Sequence, residues 1–370
     1  MMTRRNFILA LAALTGGSAA YTAWSFHKAA NKYSEAINTF WRQAPNNLAA
    51  NQAAINRELV RYATMAASSH NTQCWKFRLA DEQISILPDW QRRCPAVDPD
   101  DHHLFVSLGC AAENLSLAAA AYGKYADVRF DAGSGEAIVV GLKPSNAIAS
   151  PLFKAIPNRQ CTRNEYSGRK VNGDDLKLLV DAARGNGVEL VLITEHNGIE
   201  NILDYVVRGN TAQLNDEAFV KELVSWIRFS DDEAVRLGDG LFSRSSGNPA
   251  IPRWLGTKLL NFVLTAKNEN DKYARQIRSS SGIAVFVSEQ NDKQHWVETG
   301  RSYERFALQA TALGIKNAFI NQPVEVSELR PQLASYLGLG VRRPDLVVRF
   351  GYGDEMPKSM RRPLDQVIVV

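Results

Sequence analysis

Three short stretches carry residue types that could do chemistry. "AASSHNTQCWKF", residues 66–77, sets Ser68, Ser69, His70, Asn71 and Gln73 together just ahead of Trp75 and Phe77. A primary amide offers both an acceptor and donors, so two amides beside hydroxyls could read the edge of a flat ring whose N–H lies between carbonyls. A plain polar turn is the alternative. "IPNRQCTRNEYSGRKV", residues 156–171, brackets Gln160, Cys161 and Thr162 between Arg159 and Arg163. Guanidinium forks match phosphate oxygens, so this stretch reads as a phosphate seat or as a solvated basic loop. "RFGYGDEMPKSMRRPLDQV", residues 349–367, follows its glycines with Lys358, Arg361 and Arg362.

Other candidates lack the required pattern. Asp100, Asp101, His102 and His103 could be drawn as a metal cluster, but successive helical residues point apart and no further histidine stands at ligand spacing. No metal is therefore expected. His70 reads equally as a substrate contact or as a cap of its turn. Gly133-Ser134-Gly135 is a hairpin loop, not a dinucleotide fingerprint, because no helix pattern follows it. Cys74, Cys94, Cys110 and Cys161 form neither a C-x-x-C pair nor a zinc knuckle. No Ser-His-Asp arrangement is legible.

The 370 residues, 45% hydrophobic and 22% charged, have ordinary globular composition and suffice for two domains or one duplicated domain. The net charge of +4 comes without a basic block interleaved with aromatics, so no nucleic-acid partner is expected. The start, "MMTRRNFILALAALTGGSAA", has two arginines, a short apolar run and a small-residue end. That is signal-peptide logic, and Thr3-Arg4-Arg5-Asn6-Phe7-Ile8 is similar to the twin-arginine export address. Residues 1–20 are thus expected to be a signal removed after Ala20, read by the twin-arginine machinery and sending the protein to the periplasm. A plain secretory signal and an uncleaved membrane anchor are the alternatives.

The elements that must position these residues follow from periodicity. Residues 28–65 read as helix with a break near Pro45. "WKFRLA" and "QISILP" alternate as paired strands, and Asp98-Pro99-Asp100-Asp101 caps a helix running to Gly123. Strands are expected near 127–130 and 137–142. A second half, from about 151, supplies a helix at 174–184, a strand at 188–193 and helices between 199 and 236. Strands at 283–288, 316–320 and 346–350, with helices at 294–313 and 326–337, complete it. A Gly/Ser/Pro-rich stretch, 237–260, interrupts this half. A shift of 191 positions lays Gly109, Glu113, Leu117, Ala119, Ala121 and Gly123 onto Gly300, Glu304, Leu308, Ala310, Ala312 and Gly314. This echo points to internal duplication.

Taken in order, these motifs resemble the nitroreductase superfamily, in the Acg-type branch where two nitroreductase-like halves share one chain. The turn at 66–77 is similar to the family's Ser-x-x-Asn-x-Gln-Pro-Trp motif. "PDWQRRCPAVDPDDHHLFVSLGCAAENLSLAA" is similar to the Acg-type signature, and "RQCTR" resembles the Arg-x-Ser-x-Arg phosphate motif. The C-terminal stretch resembles the closing segment of a nitroreductase unit. Cys74 stands where the family has proline, and Cys161 where it has a hydroxyl.

The resemblance implies an α+β, nitroreductase-like fold. It consists of two fused repeats, each a mixed β-sheet packed by helices, spanning 28–150 and 151–370 and forming an intrachain pseudo-dimer. It also implies FMN. Arg159, Gln160, Cys161 and Arg163, helped by Arg361 or Arg362, would hold the phosphate, and Ser68, Ser69, Asn71 and Gln73 would face the ring. "INRELVRYATMA" has no phosphate seat and "DAARGNGVEL" no ring-reading turn, so one flavin site per chain is expected. The implied activity is electron transfer through FMN to a nitro compound, quinone or similar flat acceptor, from NAD(P)H or from a membrane or protein donor. The alternative is a non-catalytic FMN-binding or storage protein whose stretch 237–260 lies over the flavin as a lid. A homo-oligomer is left open.

Overall fold

The computed structural model describes residues 19–43, 51–133 and 135–369. The twin-arginine segment falls outside these residues. The expected cleavage point after Ala20 lies in the first turn of the helix Ala19–Phe40.

The fold is α+β, with two main sheets. The first contains β1 (Trp75–Ala80), β2 (Gln83–Pro88), β3 (Lys124–Asp131) and β4 (Ala137–Pro144), in the order β1-β2-β4-β3 with all pairs antiparallel. The second contains β5 (Val188–Ile193), β8 (Gly282–Ser288), β9 (Lys316–Phe319) and β10 (Pro344–Gly351), in the order β5-β8-β10-β9, again antiparallel throughout. Both halves therefore build a sheet of the same order and sense. Two short strands, β6 (Ile227–Arg228) and β7 (Leu241–Phe242), pair separately. At the end of the chain β11 (Ile368–Val369) crosses back and adds parallel to β1, with Phe77 opposite Ile368.

Between the sheets lie two long helices, His102–Ala121 and Lys293–Ala312. The first is apolar enough to cross a membrane, but its residues are mostly buried, so it is the centre of the core. The Asp98 carboxylate caps it, accepting from the backbone N–H groups of His103 and Leu104 at 3.0 and 2.9 Å. The two helices cross where glycine replaces a side chain. A Cβ on Gly109 would stand 2.0 Å from the carbonyl oxygen of Val297, and one on Gly300 would stand 1.9 Å from that of Val106. These four positions are related by the same 191-residue shift as the sequence echo, so the contact is reciprocal about the crossing point.

Two departures from the periodicity have local causes. The helix expected over 326–337 starts only at Arg330 and runs to Tyr336, because Pro331 lacks an N–H and fits only the first turn of a helix; a separate turn of helix, Gln322–Glu325, precedes it. The stretch after Gly238 leads into two unexpected helices, Arg253–Val263 and Ala266–Arg278. Trp254, Phe262 and Val263 are exposed on the first of these.

Behind the crossing, His102 Nε2 lies 2.8 Å from Asp345 Oδ1, and the Ser288 N–H donates to Asp345 Oδ2 at 2.7 Å. Burial raises the Asp345 carboxyl to about 6, against the Ser288 bonds that lower it. Its folded pKa lies above the usual 3.9, so its stabilising contribution is full below pH 3.9 and is lost as pH rises through 6. Asp345→Asn is expected to remove this loss, worth up to about 3 kcal/mol. Urea midpoints of both proteins at pH 4 and 7 check it: the difference between them should shift in favour of the variant at pH 7.

Candidate active site

The turn at 68–73 is an unusual piece of backbone. His70, Asn71 and Gln73 have φ of 46°, 52° and 53°, in the left-handed region that side chains other than glycine seldom occupy. Such a conformation persists only where surrounding bonds fix it. Asn71 Nδ2 donates to the carbonyls of Gly240 and Met360 at 3.0 and 3.2 Å, and its Oδ1 accepts from Arg361 at 3.0 Å. Gln73 donates to the Gly238 carbonyl at 2.8 Å and accepts from the Arg362 N–H at 2.8 Å. The two amides expected to read a ring thus bind polypeptide. They tie the turn to residues 238–240 and 360–362.

The basic residues divide in the same way. The helix Gln52–Thr64 ends just before the turn, leaving carbonyls that need donors. Arg361 donates to Thr64, Met65 and Ala66 at 2.6, 3.1 and 3.1 Å, and Arg159 donates to Met65 at 2.8 Å. Both guanidinium groups therefore sit at the negative end of a helix. Arg159 also pairs with the fully buried Glu304 at 3.0 Å. Burial, then the neighbouring Arg159, disfavours the charge on Arg361, while Glu304 favours it. Arg362 donates to Gln73 O and lies 3.4 Å from Asp89. Gln160 holds both the N–H and the carbonyl of Met356, and Cys161 forms a bridge to Asn317.

A cavity of about 900 Å³ opens where the two halves and the stretch 237–260 meet. Of the ten residues expected at the site, Ser68, Ser69 and Arg163 line it; Asn71, Gln73, Arg159, Gln160, Cys161, Arg361 and Arg362 do not. The physical reason is that these seven make the protein contacts just described. Ser68 Oγ accepts from the Gln73 N–H at 3.1 Å, and the Ser69 N–H donates to Ser107 Oγ at 3.2 Å. The Arg163 guanidinium forms no hydrogen bond or ion pair with the described residues. Leu241, Ile251, Leu259 and Leu260 supply an apolar wall from the 237–260 stretch.

Sequence reasoning missed His103, Asn321 and Gln322, which also line the cavity. His103 Nδ1 is 3.5 Å from Asp98 Oδ1, and its Nε2 is 3.3 Å from Asn321 Nδ2. Asn321 Oδ1 accepts from the Val347 N–H at 2.9 Å, so its Nδ2 must donate towards His103. This assigns the imidazole proton to Nδ1, facing Asp98, and makes Nε2 the acceptor of the long Asn321 contact. Burial opposes charge on His103, but the Asp98 hydrogen bond and charge outweigh it and hold its pKa above the usual value. Gln322 Oε1 is buried without a hydrogen-bond partner among the described residues. The one signal for these residues was a polar Asn-Gln pair directly after an apolar strand.

No family model matches the chain. It is similar to a curated protein of Mycobacterium tuberculosis (strain ATCC 25618 / H37Rv), "Putative NAD(P)H nitroreductase Rv3131", at 26% identity over 326 residues, covering 84% of this chain and 90% of the relative. "Putative NAD(P)H nitroreductase acg" of the same organism is 21% identical over 345 residues, covering 85% and 95%. Among solved structures, the FMN-dependent nitroreductase NfnB from Mycobacterium smegmatis, in complex with NADPH, aligns with a TM-score of 0.39 at 12% identity, over 58% of this chain and 96% of that one. A nitroreductase with bound FMN from Bacteroides fragilis aligns with a TM-score of 0.37 at 17% identity, over 60% and 99%.

Proposed function

We propose that this chain is an FMN-dependent oxidoreductase of nitroreductase type, with one flavin site formed between its own two halves. The observation that carries this reading is the pairing, in one cavity, of a guanidinium at Arg163 and a buried acceptor at Gln322 Oε1 that both lack partners among the described residues. FMN needs both: a cation for its phosphate or ring carbonyls, and an acceptor for its ring N–H. A volume of about 900 Å³ is within the range of cofactor pockets. The curated relatives, named as NAD(P)H nitroreductases over most of their length, support the same reading.

Arg163, Ser68, Ser69 and Gln322 would hold the cofactor, which when bound supplies the two-electron chemistry. Asn71, Gln73, Arg159, Arg361 and Arg362 act one step back, fixing the turn that carries the serines. His103 keeps its proton at Nδ1 against Asp98, and its Nε2 can take up a proton once Asn321 Nδ2 turns away from it. His103→Gln is expected to lower turnover about 100-fold, in the range of a positioned acid or base. The check is the pH profile: the limb assigned to His103 should vanish while FMN content stays unchanged.

The test of the whole reading is the absorption spectrum of the purified protein, with released FMN near one per chain. It should be joined by steady-state reduction of a nitroaromatic or quinone with NAD(P)H. A colourless protein that takes up no added FMN overturns the assignment. Bound FMN without turnover, whatever the donor, favours the storage reading, for which the wall formed by 237–260 is the specific support. The exposed Trp254 and Phe262 on the helix Arg253–Val263 favour a membrane or protein donor beside NAD(P)H. We take the chain to be exported by the twin-arginine machinery on the strength of Thr3-Arg4-Arg5-Asn6-Phe7. Arg4→Lys with Arg5→Lys should hold the protein in the cytoplasm, as fractionation would read.

A further inference from the structure

A second group of side chains, apart from the proposed flavin contacts, has the composition of a metal site. His70, Cys94 and Glu222 each offer one donor atom, and these atoms all lie within 4.8 Å of one another. They come from three separate segments: the 68–73 turn, the loop after β2 and the helix Glu217–Trp226. The cluster is separate from the Asp98–His102–His103 group, in which Asp98, His103 and His102 Nε2 are bonded to the helix N-terminus, Asn321 and Asp345, and only His102 Nδ1 lacks a hydrogen-bond partner among the described residues.

Each member is held for binding rather than left to chance. His70 occupies the left-handed region at φ 46°, and its Nδ1 is buried with no hydrogen-bond partner among the described residues. A buried imidazole nitrogen is ordinarily satisfied, so this atom calls for a partner. Cys94 is buried and free. Glu222 accepts from the N–H groups of Ala96 and Val97 at 3.0 and 3.2 Å, which fixes its carboxylate beside the cysteine loop. Those bonds are the outer support that ligating carboxylates commonly have.

We propose that His70, Cys94 and Glu222 bind one divalent transition ion of the zinc class. A nitrogen, a thiolate and a carboxylate are the donors such an ion takes. The charges balance, since a thiolate and a carboxylate neutralise a dication in a buried place. Tetrahedral Zn²⁺ sets its donors roughly 3.3–3.7 Å apart, so the three groups need to close by up to about 1.5 Å. Three protein ligands leave one coordination position. His70 lines the large cavity, so that position belongs to water or to a molecule bound there. Binding costs Cys94 its thiol proton, which passes to solvent or buffer, and no electron changes hands.

The test is titration of the full chain, freed of metal by a chelator, with Co²⁺ as a spectroscopic probe. The expected result is one equivalent bound, with a thiolate-to-cobalt charge-transfer band in the near ultraviolet and visible bands of four-coordinate intensity, all displaced by Zn²⁺. Cys94→Ser should lose the charge-transfer band, and His70→Gln and Glu222→Gln should each weaken Zn²⁺ binding by at least about tenfold. Thermal unfolding and FMN content, read on the same samples, show whether a variant is folded. If Cys94→Ser proves unfolded, the Glu222→Gln titration decides alone. No thiolate band in the parent protein overturns the proposal, as does a band unchanged in folded Cys94→Ser. So does equal Zn²⁺ affinity in the parent and both of the other variants. None of these outcomes bears on whether FMN binds.

Discussion

Gly300→Ala is expected to destabilise the protein by about 3 kcal/mol or more, a large share of the 5–15 kcal/mol that holds an ordinary domain folded. The added methyl would sit 1.9 Å from the Val106 carbonyl oxygen and 3.0 Å from the Cys110 nitrogen. Both are backbone atoms inside a helix, so no side chain can swing away and the helices themselves must part. Parting them opens the core that both sheets share. Gly109→Ala should do the same from the other side, against Val297. Because one separation relieves both clashes, the double variant should cost clearly less than the sum of the two. Gly173→Ala is the control: a Cβ there meets nothing within 4 Å, and alanine is the better helix former. Urea unfolding of the four variants and the parent checks the set. Equal stability of Gly300→Ala and Gly173→Ala would sink the account of the crossing.

Arg163→Met is expected to weaken FMN binding about 100-fold, as loss of a charge-assisted contact does, while leaving stability unchanged or slightly raised. The second half of that statement follows from geometry. The guanidinium bonds to nothing among the described residues, and its charge works against its surroundings. After burial, Arg163 is the leading cause that pushes His70 down to about 4. Arg361→Met should behave in the opposite sense. It strips donors from three buried carbonyls at one helix end, so stability falls first and flavin is lost as a consequence. Flavin titration and thermal unfolding, run together on both variants, separate a ligand contact from a structural one. Unchanged flavin affinity in folded Arg163→Met would remove this residue from the site.

That contrast also marks how far the sequence could be read. Alternation located β1 and β2, and the acidic cap at 98–101 with Gly123 bounded the first central helix. Gly123 and Gly314 end those helices at φ of +70° and +72°, as the glycine positions predict. The 191-residue echo named the two glycines of the crossing without showing that they touch the partner helix. What the sequence could not decide was the partner of each polar group. A main-chain carbonyl at a helix end and a phosphate oxygen present the same invitation to arginine, so Arg159 and Arg361 could not be told from Arg163. The same holds for Asn71 and Gln73, because an amide satisfies a peptide group as well as a flavin edge. His103, Asn321 and Gln322 were illegible for another reason. They meet only once β9 and the first central helix are packed together.

The short strand at the end of the chain has a consequence for how the molecule is made. Ile368 and Val369 leave the ribosome about 290 residues after the strand they border. At ordinary elongation rates β1 waits on the order of tens of seconds for its neighbour. Arg361, which supplies most of the donors at the helix end before the 68–73 turn, arrives almost as late. The first half therefore cannot mature as an independent unit during synthesis, and the two halves must be finished together. A chain interrupted before residue 368 would carry both central helices and still present an open sheet edge, the kind of surface that chaperones and proteases recognise.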